Sequence, residues 1–445
     1  MSTDGIDTQL AQWRIFLRGQ GTAGEALDAR LRSGIEELTA TGLRPDESFL
    51  VALKRLAAED GRAHEFARTH SARLWRELVL SDRAERTGDR RALLTMLVCA
   101  VAAAIAIKLP ALLGADLDDH GEFYLRNLAL FTLAPLALYF GLRRAVSVTT
   151  GLVLTALFLL GAVAANVYAL DTDSQSLALT AIHLPVALWL VAGVAYAGGD
   201  WRSHERRMDF IRFTGGWVVY LVLIYLGGGV LTAITAGTFD AIGIEVETFV
   251  GEWLAPCGAV AAIVVAAWLV ETRQGVIETI APMLTRIFTP LFTVVLLALL
   301  AGFGLSSTGV EVDRDVLILF DLLLVVILGL LLYSISAVDR PERPTLFDRL
   351  QLALVVSALL VDVLVLATLT LRITEYGSSP NKVAALGENL ILLTNLAWSA
   401  WLLFGFLRGR MPFARLERWQ SGYLVVYAAW AWIVILAFPP LFGFR

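Results

Sequence analysis

Apolar positions follow two different rhythms on either side of Arg91. Before it they recur at helical spacing. Leu10, Trp13 and Phe16 make one stripe, and Leu27, Leu31, Ile35 and Leu38 a second. Phe49, Val51, Leu53 and Leu56 make a third, and Phe66, Leu74 and Leu78 a fourth. Steps of three and four residues put each set on one helix face, so a bundle of three or four short helices is expected within residues 1–80. Gly42 fits a helix stop and Pro45-Asp46 the next start. A core of this size gains stability from a neighbour, which points to a cytoplasmic protein partner or to the rest of the chain. Residues 81–91 are highly charged and read as an exposed linker.

After Arg91 the apolar positions stop alternating with polar ones and run on. A helix needs about 20 apolar residues to cross roughly 30 Å of hydrocarbon. Such stretches occur near 92–114, 123–142, 147–169, 177–197, 214–237, 253–270, 288–306, 316–337, 350–371, 383–407 and 419–438. Residues 92–445 therefore read as a transmembrane domain of about eleven helices. The last is the weakest, since Pro439-Pro440 truncates it. Val276, Ile277, Ile280, Leu284, Ile287 and Phe288 keep an amphipathic rhythm, which predicts a helix lying in the interface before it turns into the seventh span.

Composition supports this division. Of the 445 residues 57% are hydrophobic and 17% charged, with a mean hydropathy of +0.68. Soluble domains average about 45–50% apolar and about 25% charged. The fold class is thus all-α, a polytopic membrane protein behind a small helical bundle, with the lipid bilayer as its first partner. A net charge of −5 offers no basic field for nucleic acid. Cys99 and Cys257 fall in apolar runs far from any His, which supports neither a disulfide framework nor a zinc site. Residues 1–9 lack the basic-then-apolar pattern of a signal peptide, so the first span is expected to act as an uncleaved insertion signal.

Loop charge sets an expected orientation, because Lys and Arg collect on the cytoplasmic side. With the N-terminus inside, the inner loops carry Arg143 and Arg144, then Arg202, Arg206, Arg207 and Arg212, then Arg273 and Arg286. Arg340, Arg343 and Arg349 follow, and then Arg408, Arg410, Arg415 and Arg418. The opposite loops hold Asp116, Asp118, Asp119 and Glu122, then Asp171 and Asp173, then Asp240, Glu245 and Glu247. Only the loop around Arg372 and Lys382 breaks the alternation. A bacterial inner membrane, with the N-terminus cytoplasmic and the C-terminus outside, is the setting implied. Trp217 and Trp419 would anchor the inner interface, and Trp253 the outer.

Ionisable residues inside spans carry the most functional information. Each costs on the order of 2.5–3.5 kcal/mol at the bilayer centre, so it should face the bundle and find a partner. Lys108, Arg126, Asp321, Arg372 and Glu388 fall at similar depth in the outer third, with Asn127, Asn166, His183 and Asn389, while Asp362 lies deeper. One reading is an outward polar cavity for a small charged solute or lipid headgroup. There Lys108, Arg126 and Arg372 would hold an anion, and Asp321, Asp362 or Glu388 would carry protons. Asp362 is the expected proton carrier, since removal from water favours the uncharged carboxyl. The plainer reading is that these charges pair and pin the helices, with the terminal ones snorkelling to water.

Other features point away from chemistry. Asp116, Asp118, Asp119, His120 and Glu122 lack a calcium-loop spacing and read as a solvated loop, so no metal site is expected. His64 and His70 have no Cys or Asp constellation. Gly227, Gly228 and Gly229 read as a close helix contact or a break in the helix, and Pro110, Pro135, Pro185 and Pro256 as kinks. No nucleotide loop and no Ser with a placed base suggests a cofactor or a catalytic residue.

The stretch from Arg372 to Lys382 is the most distinctive: an Arg-Ile pair, then Glu375-Tyr376-Gly377, then Ser379-Pro380-Asn381-Lys382. It resembles the signature of a bacterial multi-span membrane family, domain of unknown function 4153, in which Thr is usual where Ser379 stands and Arg where Lys382 stands. The N-terminal bundle resembles the small helical domains that precede some bacterial permeases. The resemblance implies a membrane location and no established activity. As a piece of chain, the motif reads as an outer hairpin, with Gly377 in the turn and Pro380 starting the next helix. Arg372 and Lys382 are expected to be held by carboxylates such as Asp321 or Glu388, and Glu375 and Tyr376 to border a ligand gate if the turn serves as one.

Three functions are compatible with these patterns. The first is a transporter or solute-binding protein using the polar cluster. The second is a non-catalytic envelope sensor or assembly protein whose bundle binds a partner. The third is an intramembrane enzyme acting on lipid or cell-wall precursors.

Overall fold

A computed structural model describes residues 10, 13–14, 16–17, 21–43, 45–60, 63, 66, 83–117, 119–168, 174–242, 244–272, 274–305, 314–336 and 344–443. Leu74, Leu78, His64, His70, Ser81, Asp82, Asp118, Asp171, Asp173, Arg273, Arg340 and Arg343 lie outside the described residues. The chain divides into two compact units, Met1–Arg91 and Ala92–Arg445.

In the first unit, α1 (Gly21–Ala40) packs on α2 (Pro45–Glu59). Proline at the first helical position loses nothing by lacking an N–H, which explains why α2 begins at Pro45. Gly42 ends the preceding turn with φ +97°, a conformation that a Cβ would strain. Leu27, Leu31, Ile35 and Leu38 of α1 are buried against Phe49, Leu53 and Leu56 of α2, with Trp13 and Phe66 meeting edge to face at 5.0 Å.

The second unit is the membrane domain. Among the described residues, eleven helices are long and apolar enough to span a bilayer. They are α3 (Arg83–Leu112, of which Arg90–Leu112 is apolar), α4 (Gly121–Arg144), α5 (Val148–Val167), α6 (Gln175–Tyr196) and α7 (His204–Ala241). They continue with α8 (Glu247–Thr272), α9 (Gln274–Leu305), α10 (Arg314–Ser336), α11 (Leu346–Tyr376), α12 (Pro380–Leu407) and α13 (Ala414–Leu441). The protein is a polytopic α-helical membrane protein. Pro439 and Pro440 are accommodated in the last turn of α13 and do not cancel the eleventh span. Residues 83–91 are helical and form the opening turns of α3. The amphipathic stretch before the seventh span belongs to α9, whose backbone continues without a break through Pro282 and Pro290. Membrane helices tolerate such prolines where neighbouring groups satisfy the freed carbonyls.

Helices α4, α6, α13, α11 and α12 make the closest neighbours, α6 packing on both α4 and α13, and α11 on α12. Small residues permit the tightest crossings. A Cβ on Gly215 would stand 2.0 Å from the Tyr333 ring, and one on Gly193 2.6 Å from the Phe210 ring. By contrast, a Cβ on Gly227, Gly228 or Gly229 would meet nothing within 4 Å. The close contact expected there is not made among the described residues. At 38 residues α7 is about 57 Å long, and its second half presents Leu226, Val230, Leu231 and Ile234 outward, a surface suited to lipid.

One end of the bundle is tied by Glu271. Its carboxylate accepts the Tyr139 hydroxyl at 2.7 Å and pairs with Arg143 at 3.5 Å and Arg144 at 3.3 Å, joining α4 to α8. The Glu271 side chain is only 9% exposed while the arginines are about one-third exposed, so most of the cost of losing it falls on the Tyr139 hydroxyl. Glu271→Ala is expected to lower the unfolding free energy by about 1–3 kcal/mol in a denaturant titration in detergent. A change below about 0.3 kcal/mol would show the cluster to be ornamental at that end.

Candidate functional site

The ionisable residues separate by sign. Asp321 lies two turns into α10, Asp362 in the middle of α11, and Glu388 and Asn389 two turns into α12. The Asn389 amide donates to Asp321 at 2.9 Å, and Asp321 is within electrostatic reach of both Asp362 and Glu388. Asp362 is 0% exposed and neither of its carboxyl oxygens has a hydrogen-bond partner. The Asn389 side-chain carbonyl is likewise buried without a partner. None of the three carboxyls forms an ion pair with a described residue. Nothing among those residues offsets the dehydration of an ionised Asp362.

The basic residues go elsewhere, for identifiable reasons. The α-helical partner of the Glu252 carbonyl would be the N–H of residue 256, and Pro256 has none. Lys108 donates to that carbonyl at 2.5 Å, with its ammonium 4.4 Å from the centre of the Trp253 ring. The helix here widens into a π-turn over Val250–Leu254. Lys108 therefore patches a proline-broken turn. Arg126 lies over the Phe123 ring at 5.9 Å, and its buried Nε has no hydrogen-bond partner. Lys382 reaches back to the C-terminus of α11, donating to the Gly377 carbonyl at 2.9 Å and the Arg372 carbonyl at 3.5 Å. Unpaired carbonyls at a helix end are a natural site for a cation, so Lys382 is held by backbone and not by Asp321 or Glu388. Arg372 is half-buried in the last turns of α11.

The hairpin itself takes the form its residues suggest. Gly377 adopts φ +78°, Ser379 caps α12 by accepting the Lys382 N–H at 3.4 Å, and Pro380 opens the helix. Glu375 and Tyr376 are exposed, Tyr376 to 71%, with Lys382 5.7 Å from its ring. Asn127 and Asn166 pair with each other through reciprocal amide bonds of 3.0 and 2.7 Å, tying α4 to α5.

Sequence patterns did not reveal the chamber. A cavity of about 650 Å³ lies between α4, α6, α7, α8, α10, α12 and α13 at the middle of the spans. Its wall is aliphatic and aromatic, with Trp189, Trp217, Tyr225, Tyr427 and Trp430 contributing rings. Polar handles hold several of these rings in place. Trp217 donates to the Ile263 carbonyl at 3.0 Å and Tyr225 to the Ala259 carbonyl at 3.0 Å, while Trp189 and Trp217 lie with centroids 4.4 Å apart. Trp217 is a chamber residue. Tyr427 accepts from the Asn395 amide at 2.5 Å, within a buried network that also includes Ser399, Trp419 and Gln420.

Glu388 and His183 also reach the wall. Glu388 forms no hydrogen bond or ion pair with a described residue there. His183 lies with Nδ1 2.8 Å from the Leu179 carbonyl. A carbonyl can only accept, so Nδ1 carries a proton and Nε2 is the nitrogen left for a ligand. Lys108, Arg126, Asp321, Asp362, Arg372, Glu375, Tyr376 and Asn389 do not line the chamber, and Glu388 alone connects it to the acidic cluster. Trp189 and Trp430, central in the apolar stretches 177–197 and 419–438 and not at the ends that such residues favour, were the signal that could have marked it. No family model, curated protein or solved structure matches the chain.

Proposed function

We propose that the membrane domain is a solute-binding protein of the transporter kind. The chamber takes the solute, and the acidic cluster of Asp321, Asp362 and Glu388 compensates its charge by exchanging protons. The observation that carries this reading is Glu388, a carboxyl on the wall of a 650 Å³ mid-span chamber with no ion pair or hydrogen bond to a described residue. A purely structural charge would be expected to have a partner. Asp362, buried with both oxygens unpartnered, is the proton carrier in this scheme. Lys108 and Lys382 are held by backbone carbonyls, away from the cluster.

The reading includes an orientation with the first unit cytoplasmic and the Gly377 hairpin outside a bacterial inner membrane. Arginine asymmetry between alternate loops supports it. Membership of the family with domain of unknown function 4153, proposed on the Arg372–Lys382 motif, agrees with that setting and adds no activity.

Accessibility tests the proposal. Ile391 lines the chamber beside Glu388. In a chain carrying Cys99→Ala and Cys257→Ala, Ile391→Cys is expected to react in membranes with an impermeant thiol reagent. An Ile391→Cys chain that reacts only after denaturation, from either side of the membrane, would mean a sealed bundle and no solute path.

A further inference from the structure

We infer that the chamber selects an organic cation with an apolar body, a step that rests on the solute-binding reading above. Charge is the first argument. Among the described residues no Lys or Arg lines the chamber, and Glu388 is the one acidic side chain on its wall. An anion would meet a carboxylate without a compensating guanidinium or ammonium. A neutral solute would leave that carboxylate unanswered.

The wall supplies the second argument. Trp189, Trp217 and Trp430, with Tyr225 and Tyr427, line one space. Ring faces carry negative potential and attract ammonium, phosphonium and guanidinium groups, more strongly where water is excluded. Trp217, Tyr225 and Tyr427 are held by hydrogen bonds to Ile263, Ala259 and Asn395, so the walls are set before a ligand arrives. Preorganised walls lose little freedom on binding.

Size and ligand chemistry exclude the small inorganic cations. A bare sodium or calcium ion needs several oxygens in its first shell, and the chamber wall offers one carboxylate and four neutral hydroxyls, of which Thr132, Thr214 and Tyr225 are bonded to backbone carbonyls. No group of three or more His, Cys, Asp or Glu side chains is arranged to hold a metal among the described residues. A cation spread over carbon substituents fills about 650 Å³ of largely apolar space and still pairs with Glu388.

Tetraphenylphosphonium and tetraphenylborate, alike in shape and opposite in charge, discriminate the possibilities. Binding of each labelled ion is measured on the full chain in lipid nanodiscs, after subtraction of binding to empty nanodiscs. The expected result is saturable phosphonium binding that Glu388→Gln weakens about tenfold or more and Glu388→Asp largely retains. Tetraphenylborate is expected to show no saturable component. If borate binds as tightly as phosphonium, or if Glu388→Gln leaves phosphonium binding intact while the variant elutes as the native species, cation selection is overturned. The solute-binding reading survives that outcome, because Ile391→Cys labelling tests it separately. Saturable binding of neither ion, in a chain whose Ile391→Cys labels, also overturns the cation assignment.

Discussion

Replacing Asn395 by Ala is expected to lower the unfolding free energy by about 2–4 kcal/mol. The residue is 0% exposed and its amide is fully committed. Nδ2 donates to the Gln420 carbonyl oxygen at 3.1 Å and to the Tyr427 hydroxyl at 2.5 Å. Oδ1 accepts from the Trp419 indole at 2.7 Å and from Ser399 at 3.2 Å. Interhelical hydrogen bonds in membranes average roughly 0.6 kcal/mol and reach about 1.7. Truncation, however, removes several bonds at once and leaves the Trp419 N–H and the Gln420 carbonyl without their partner in a buried space. Reversible unfolding in mixed micelles reads the loss. Asn395→Ala combined with Gln420→Ala should cost less than the two single changes added together, since they share the bond. Strict additivity, or a loss under about 0.5 kcal/mol for Asn395→Ala, would show that the Asn395 bonds add little to the joint between α12 and α13.

Gly387→Ala is expected to collapse the chamber wall. A Cβ at Gly387 would stand 2.1 and 2.2 Å from two carbons of the Trp430 ring, far inside van der Waals contact. The ring is rigid and lines the chamber, so it must be displaced. Overpacking of this kind costs about 1–3 kcal/mol. Loss of tetraphenylphosphonium binding is expected together with the lower stability. Adding Trp430→Leu to Gly387→Ala makes room for the new methyl and should restore most of the stability. It would not restore the binding that the lost ring supports. If Gly387→Ala binds and unfolds like the native chain, Trp430 is not the fixed wall described above.

Both predictions rest on residues that sequence patterns did not single out, whereas the fold class was plain in the chain. About 20 consecutive apolar residues without charge have one stable arrangement in lipid, a helix that satisfies its own backbone. That requirement is local, so all eleven spans could be recognised before any neighbour was known. Their limits were less legible. α7 runs from His204 to Ala241 and α9 from Gln274 to Leu305, because helices continue beyond the hydrocarbon where hydropathy has already fallen. The hairpin at Gly377 was also legible, since positive φ and a Pro-led helix start depend on a few adjacent residues.

Depth along a helix can be read from one dimension, but direction around it cannot. Lys108, Arg126, Asp321 and Glu388 stand at similar depth in the sequence, and only packing decided that the acidic groups lie within electrostatic reach of one another and the two basic ones are engaged elsewhere. Lys108 was claimed by the carbonyl opposite Pro256, and Lys382 by the end of α11. The chamber is more remote still from sequence pattern, because α4, α6, α7, α8, α10, α12 and α13 each contribute only a few residues to it. The sequence by itself determined a helical membrane protein and the positions of its charges along each span. The tertiary structure decided which charges face one another, and that a carboxylate and five aromatic rings share one space. Hydrophobic burial in lipid acts on each segment separately, while side-chain encounters depend on how all the segments pack.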